Sequence, residues 1–512
     1  MKPIAQATLL AAFISSPLLA EVELPSVLGS GMVLQQGMQV PIWGKASAGE
    51  KVTVTFSGQS HETAASEDGK WIVKLNPLKT NATGQTLAVQ ALNKIELTDV
   101  LVGEVWLGSG QSNMEWSLSA SDGGHVDASA ADFPQIRLFS PPHVSQPTPQ
   151  WTCDATWKAC NPENASSFSA VLFYMARELN RELSVPVGVI NSSWGGSRIE
   201  PWTALEGFAM EPSQRDILRA INSGTPGTEE YKNSMLAWLG NVQQWAQHAR
   251  GEVDAKKPLS PMPQQPGPPA QGYQGVVGLY HAMIHPLVPF ALRGVVWYQG
   301  ESNLGEGMDY YHRKRALIGG WRKVWGQGDF PFYTVQLAPY NYTKQSLEID
   351  RTYDGLPRIW EAQNATLTGI PNTGVVVTND IGNFNDIHPT NKKEVGRRLA
   401  LIALAKEYGK KDLVFSGPVY STIKPEGAKI RVSFTSIGGG LISRDGKPLR
   451  EFQLAGDDGK FKDAEAVIEG NEILVSAAKV PSPTQVRFAW NQIPEANLMN
   501  KEGLPASAFK SH

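Results

Sequence analysis

A chain of 512 residues with 41% hydrophobic side chains is long enough for two or three domains and apolar enough to bury an ordinary core, which excludes an intrinsically disordered protein. Its 46 basic and 49 acidic residues nearly cancel, so no excess positive charge is present to hold a nucleic acid. Only two cysteines occur, Cys153 and Cys160 in "CDATWKAC". Without CxxC pairs a thiolate zinc site is not expected, and in an oxidising compartment the two could close a small loop.

The first twenty residues carry Lys2, the apolar run "IAQATLLAAF" and "SSPLLA" ending at Ala20, the order of a secretory signal peptide, so the mature protein is expected to be secreted or periplasmic. Losing one of the 46 basic residues leaves 45 against 49, a net charge near −4. No later stretch is long enough to span a membrane as a helix. "QVPIWGKA", "KVTVTFSG", "KWIVKL" and "TLAVQAL" are short alternating runs, which predict a small β domain over residues 21–98.

From 99 to 410 apolar strands alternate with helices, the pattern of an α/β domain with a parallel sheet. The strands are "VLVGEVWLGSG", "VPVGVINSS", "RGVVWYQG", "FPFYTVQLA" and "TGVVVTND". Phe168, Val171, Leu172, Met175 and Leu179 fall on one helical face. A second helix is predicted from Asn391 to Tyr408, with Asn391 as N-cap, Glu394 three residues later and Gly409 as the stop. Residues 203–275 are polar and helix-like, then Pro-rich, and read as a surface excursion that rims a site. Residues 411–512 return to short strands ("KIRVSFTS", "EFQLAG", "EILVSAA", "QVRFAW"), a second small β domain.

Ligands of an open parallel sheet bind outside the carboxyl ends of its strands, and the unusual residues cluster there. The strand ends lead into Ser112 of "GSGQSNMEW", into "NSSWGGSRIEPW", into "WYQGESN", and into Asp380 with the loop "IGNFNDIHPTN". A serine becomes a nucleophile when a histidine takes its proton and a carboxylate fixes the imidazole tautomer. His388 and Asp386, two residues apart in an extended loop, offer that pair, with Asp380 as the competing acid. An oxyanion needs convergent donors, for which the candidates are the N–H of Ser112, that of Gly195 or Gly196, and the side-chain amide of Gln299 or Asn303. The GxSxG elbow is absent, because Met114 stands where its second glycine would be. "HAMIH" places His281 and His285 four apart, but no Glu follows the first as in HExxH, so no metal site is expected.

"GQSNMEW", "NSSWGGSRIEPW", "WYQGESN" and "DIHPTNK" resemble the motif blocks of sialate O-acetylesterases and related bacterial carbohydrate acetylesterases, a branch of the SGNH hydrolases. The resemblance covers nearly the whole mature chain, since "MVLQQGMQVPIWG" and "LPASAF" also look like that family. It implies a flavodoxin-like three-layer α/β/α catalytic domain flanked by small β domains. It also implies hydrolysis of acetyl esters on sugar hydroxyls without a metal or organic cofactor. Carried over by position, Ser112 is the nucleophile, His388 the base and Asp386 its orienting acid. Two departures stand out: the acid and base are spaced D-x-H instead of D-x-x-H, and "QGESN" replaces G-x-N-D. Gln299, at the strand end proper, is favoured over Asn303 for the oxyanion. Trp116 and Trp194 are placed to stack on pyranose faces, and Arg198 either pairs with a sugar carboxylate or is structural. The rival classes are a non-catalytic carbohydrate-binding protein on the same fold and a lipase- or peptidase-type hydrolase. An intact Ser, Asp and His argue against the first, and the polar excursion argues against an apolar lipase lid.

Overall fold

Seven strands make the main path of the central sheet: β1 (Lys94–Gly110), β2 (Phe133–Phe139), β3 (Lys158–Cys160), β4 (Val187–Ser193), β5 (Gly294–Tyr298), β6 (Phe332–Val335) and β7 (Thr373–Val376). The computed structural model describes residues 21–267, 274–344 and 352–511, so the leader expected at 1–20 lies outside the described residues. The strands lie in the order β7-β6-β5-β1-β4-β2-β3. Every pairing is parallel except β2 with β3. The five strands expected from sequence, β1, β4, β5, β6 and β7, alone have the order 2-1-3-4-5 of flavodoxin-like sheets. The unexpected pair β2 and β3 extends the edge beyond β4.

Helices cover both faces, as a parallel sheet requires. The helices that matter to the site are the short α1 (Ser112–Glu115), α2 (Ala170–Leu183), α3 (Asp309–Trp325), α4 (Gly355–Gly369) and α5 (Lys392–Lys406). Along β5 successive side chains divide between the faces. Val296 and Tyr298 join Leu172, Met175, Leu399 and Ile402 of α2 and α5 in one core, whereas Val295 and Trp297 join Trp321 and Trp360 of α3 and α4 in the other. Ser169 caps α2 by accepting from the Leu172 N–H, and Asn391 caps α5 by accepting from Glu394. Gly409, at φ +70°, follows the end of α5.

The boundary expected at residues 98/99 falls inside β1. The first half of that strand pairs with Asn81–Gln90, and its second half pairs with β4 and β5. The polar Thr98 and Asp99 read as a break, but Asp99 only kinks the strand, at φ +56°, while its carboxylate is held by Arg137 at 2.6 Å. The C-terminal strands form a four-stranded antiparallel sheet containing Lys429–Thr435 and Glu472–Ser476, and another containing Phe452–Ala455 and Gln485–Phe488. Within "LPASAF", Ser507 accepts from Gln336 at 2.9 Å and from Asn364 at 2.7 Å, which fastens the chain end to β6 and α4.

The excursion holds the helices Leu205–Met210, Arg215–Ser223 and Glu229–Asp254. Its proline-rich return is pinned by Trp238 and Trp245, which donate to the Pro263 and Ser260 carbonyls; residues 268–273 lie outside the described part. Cys153 and Cys160 do not close a loop. Both are free thiols; Cys160 is buried in β3, and Cys153 lies 3.4 Å from the Ser26 hydroxyl.

Candidate active site

β1 delivers Ser112 to the carboxyl edge of the sheet through a turn that needs glycine. Gly110 has φ +137°, and a Cβ there would stand 2.2 Å from the Tyr298 carbonyl. The Gln111 N–H donates to that same carbonyl at 3.0 Å, so β1 and β5 stay locked up to Ser112. β7 leads into the loop that carries His388. The Asn341 N–H reaches the Phe384 carbonyl, and Lys344 donates to the Asn385 carbonyl. His388 then lies with Nε2 2.8 Å from Ser112 Oγ.

Asp386 is nearby but only partly fulfils the expected role. Its Oδ1 accepts from the His388 backbone N–H at 2.9 Å and lies 3.6 Å from the ring Nδ1, an ion-pair contact too long for a hydrogen bond. Half of its side chain faces solvent. Asp380 does not compete, because its carboxylate is buried in a two-pronged pair with Arg398 at 2.8 and 2.7 Å. Burial and the Lys392 ammonium hold the His388 imidazole below its ordinary value, with Asp386 opposing them. A neutral imidazole can accept a proton.

The expected side-chain donors to an oxyanion point elsewhere. Gln299 is fully buried; its amide donates to the Ser197 carbonyl and to Asn303 Oδ1, while its Oε1 accepts from Tyr310. Asn303 donates to Glu200 and Glu306. These two amides therefore brace the loop that follows β4, as buried amides that are hydrogen-bonded within the chain do. Gly195 does lie against Ser112, since a Cβ on it would stand 3.3 Å from Ser112 Cβ. Its N–H donates to Glu115 Oε2 at 2.7 Å. Among the described residues, neither the Ser112 nor the Gly196 N–H has a backbone partner.

The residues expected to hold sugar are engaged within the chain. Trp116 stacks on the His388 ring at 4.9 Å and 19°, so that face is not offered to a pyranose. Trp194 stacks on His143 at 4.6 Å and 7°, and His143 Nε2 lies 3.3 Å from Glu115. Arg198 pairs with Glu200 and Glu306 and donates to the Ser302 carbonyl, so of its two readings the geometry carries the structural one. The excursion does reach this rim, because Gln274 donates to the Gly196 carbonyl at 2.8 Å. His281 and His285 are bonded through Nδ1 to the carbonyls of Gln146 and Gln150, and no metal-binding cluster occurs among the described residues.

Three residues at this site were not singled out from sequence: Asn113, Glu301 and Lys392. They form a buried group directly behind the Ser112–His388 pair. The sequence signals are their places inside the blocks "GQSNMEW", "WYQGESN" and "DIHPTNK", and the position of Lys392 at the start of a helix, where the dipole disfavours a cation.

A serine hydroxyl within hydrogen-bond reach of a histidine, at the carboxyl edge of a parallel α/β sheet, is an arrangement that serine-dependent hydrolases use. Residues 264–405 match the family model described as carbohydrate esterase, sialic acid-specific acetylesterase. The chain is 32% identical to the sialate O-acetylesterase of Rattus norvegicus over 439 residues, 78% of this chain and 76% of that one. It is also 32% identical to the Homo sapiens sialate O-acetylesterase over 437 residues, 78% and 73% of the two. A carbohydrate acetylesterase from Xanthomonas citri superimposes with a TM-score of 0.79 at 33% identity, covering 96% of this chain and 100% of that one. The chain belongs to the sialate O-acetylesterase family of carboxylic ester hydrolases.

Proposed function

We propose that this protein is a secreted or periplasmic esterase of the SGNH type that removes O-acetyl groups from carbohydrates through an acetyl-enzyme. The observation that carries the reading is the 2.8 Å contact between His388 Nε2 and Ser112 Oγ. His388 takes the hydroxyl proton as Oγ attacks the acetyl carbonyl, and the tetrahedral intermediate expels the sugar as an alcohol that regains a proton from the imidazolium. Water, deprotonated by the same imidazole, then cleaves the acetyl-Ser112 ester. Asp386 supports the imidazolium by its charge and fixes the backbone of His388. The N–H groups of Ser112 and Gly196 receive the oxyanion, and Gly195 joins them once Glu115 releases it.

The substrates are acetylated sugars, either sialic acid or neutral sugars of the hemicellulose type. Ser112→Ala tests the reading: hydrolysis of an acetyl ester should vanish while the circular dichroism spectrum stays unchanged. A serine-reactive phosphonate should label Ser112 and no other serine. Retained activity, or faster cleavage of octanoyl than acetyl esters, would overturn the assignment.

A further inference from the structure

Behind the Ser112–His388 pair stands a polar group that the reaction as proposed does not use. Asn113 follows the nucleophile, Glu301 lies in the loop after β5, and Lys392 opens α5. Asn113 and Lys392 are 1% and 0% exposed. The Asn113 amide donates to Glu301 Oε1 at 2.6 Å and to the Ile387 carbonyl at 3.1 Å, and its oxygen accepts from Lys392 Nζ. Ile387 immediately precedes His388, so one buried amide joins the neighbour of the nucleophile to the neighbour of the base.

Lys392 Nζ also lies over two ring faces, Tyr298 at 5.3 Å and Trp116 at 5.8 Å, and Trp116 is the ring stacked on His388. A buried ammonium is costly unless such partners surround it. Its position at the start of a helix adds to the cost, because the amide dipoles there repel a cation.

We propose that Lys392, through Asn113 and Glu301, is a positioning residue for ester hydrolysis: it holds the Ser112 and His388 loops in reacting register and keeps a positive charge behind the imidazole. This rests on the Ser112–His388 reading above. The charged groups facing His388 are Asp386, from its own loop, and Lys392, from α5; those facing Lys392 are Glu301 and Asp386. Burial pushes the Lys392 ammonium down to about 7, against the pull of Glu301 and Asp386. The Lys392 charge disfavours protonation of the imidazole and so helps keep His388 neutral, in the direction of its lowered proton affinity.

Two substitutions separate the roles. Lys392→Met removes both the bond to Asn113 and the charge. It should lower kcat about tenfold or more with KM little changed, because misplaced reacting groups slow chemistry more than binding. It should also move the acid limb of kcat/KM upward by about one pH unit. Lys392→Gln keeps a donor for Asn113 without the charge, so it should show the shifted limb with most of the kcat plateau restored. Should the Met variant fail to fold, Lys392→Gln and Asn113→Ala carry the test, the latter expected to lower kcat without moving KM. The NMR titration of His388 in the Lys392→Gln protein reads the charge effect without turnover. A Gln variant with the wild-type limb and His388 titration would overturn the charge role, and an Asn113→Ala variant with wild-type kcat would overturn the register role. Loss of activity in Ser112→Ala beside unaltered Lys392 variants would leave the esterase reading standing and sink this one.

Discussion

His388 Nε2 stands 2.8 Å from Ser112 Oγ although 276 residues separate them along the chain. The imidazole must be neutral to accept the hydroxyl proton, and both burial and Lys392 lower its proton affinity. Activity should therefore rise with pH through a midpoint below the ordinary 6.5 and stay flat above it. A kcat/KM profile on a neutral acetyl ester checks this; a midpoint above 6.5 would show that the opposing pull of Asp386 governs the ring.

The Asp386 carboxylate lies 3.6 Å from the ring nitrogen and is half-exposed, so its support is screened by water. Asp386→Asn is expected to slow acylation about five- to tenfold, far less than the roughly ten-thousandfold loss on removing a buried, hydrogen-bonded triad acid. Asp380→Asn should act differently. It breaks a buried pair with Arg398 and should cost about 3–5 kcal/mol of stability while the protein that remains folded keeps its rate. Thermal melts beside rate measurements on both variants distinguish these outcomes, and a crippled but fully stable Asp380→Asn would make Asp380 the orienting acid.

The strand-end placement of Ser112, the Gly195–Gly196 turn and His388 was legible in the sequence because each follows an apolar run that could only be a buried parallel strand. The two helices with clear caps were legible for the same local reason. β2 was not, since "FPQIRLF" interrupts its apolar pattern with Pro134, Gln135 and Arg137, and its register depends on the edge it joins. The roles of Gln299 and Asn303 were misread, and the two readings of Arg198 left open, because residue type names a donor without naming its partner. Only the folded chain brings Ser197 and Tyr310 against Gln299, and Glu200 and Glu306 against Asn303 and Arg198. Lys392 was hidden for the converse reason: helical periodicity marks apolar faces, and a lysine turned inward breaks that pattern.

His281 and His285 each spend Nδ1 on a backbone carbonyl of the 146–150 segment, which makes them struts of that loop. EDTA should leave the esterase rate unchanged, whereas His285→Ala should lower the melting temperature without changing the rate of the folded protein. Activity lost to chelation and restored by zinc would contradict this.

Glu115 sets the last expectation, which concerns the choice of sugar. Its carboxylate bonds the Gly195 N–H at 2.7 Å, beside the nucleophile, while Arg198 is occupied by Glu200 and Glu306. A sugar carboxylate brought toward Glu115, as an acetylated sialic acid would carry, meets a negative charge there, whereas a neutral acetylated pyranoside brings none. Glu115→Gln removes the charge and keeps the size, so the ratio of kcat/KM for the anionic over the neutral ester should rise about three- to tenfold, the scale of a partly exposed charge pair. Salt should raise the same ratio in the wild type, because ions screen exposed charges, and should leave the variant nearly unaffected. A ratio that stays fixed in both experiments would mean that the sugar carboxylate never approaches Glu115. A ratio that falls in the variant would mean that Glu115, through the His143 ring it holds at 3.3 Å, favours the anionic sugar instead.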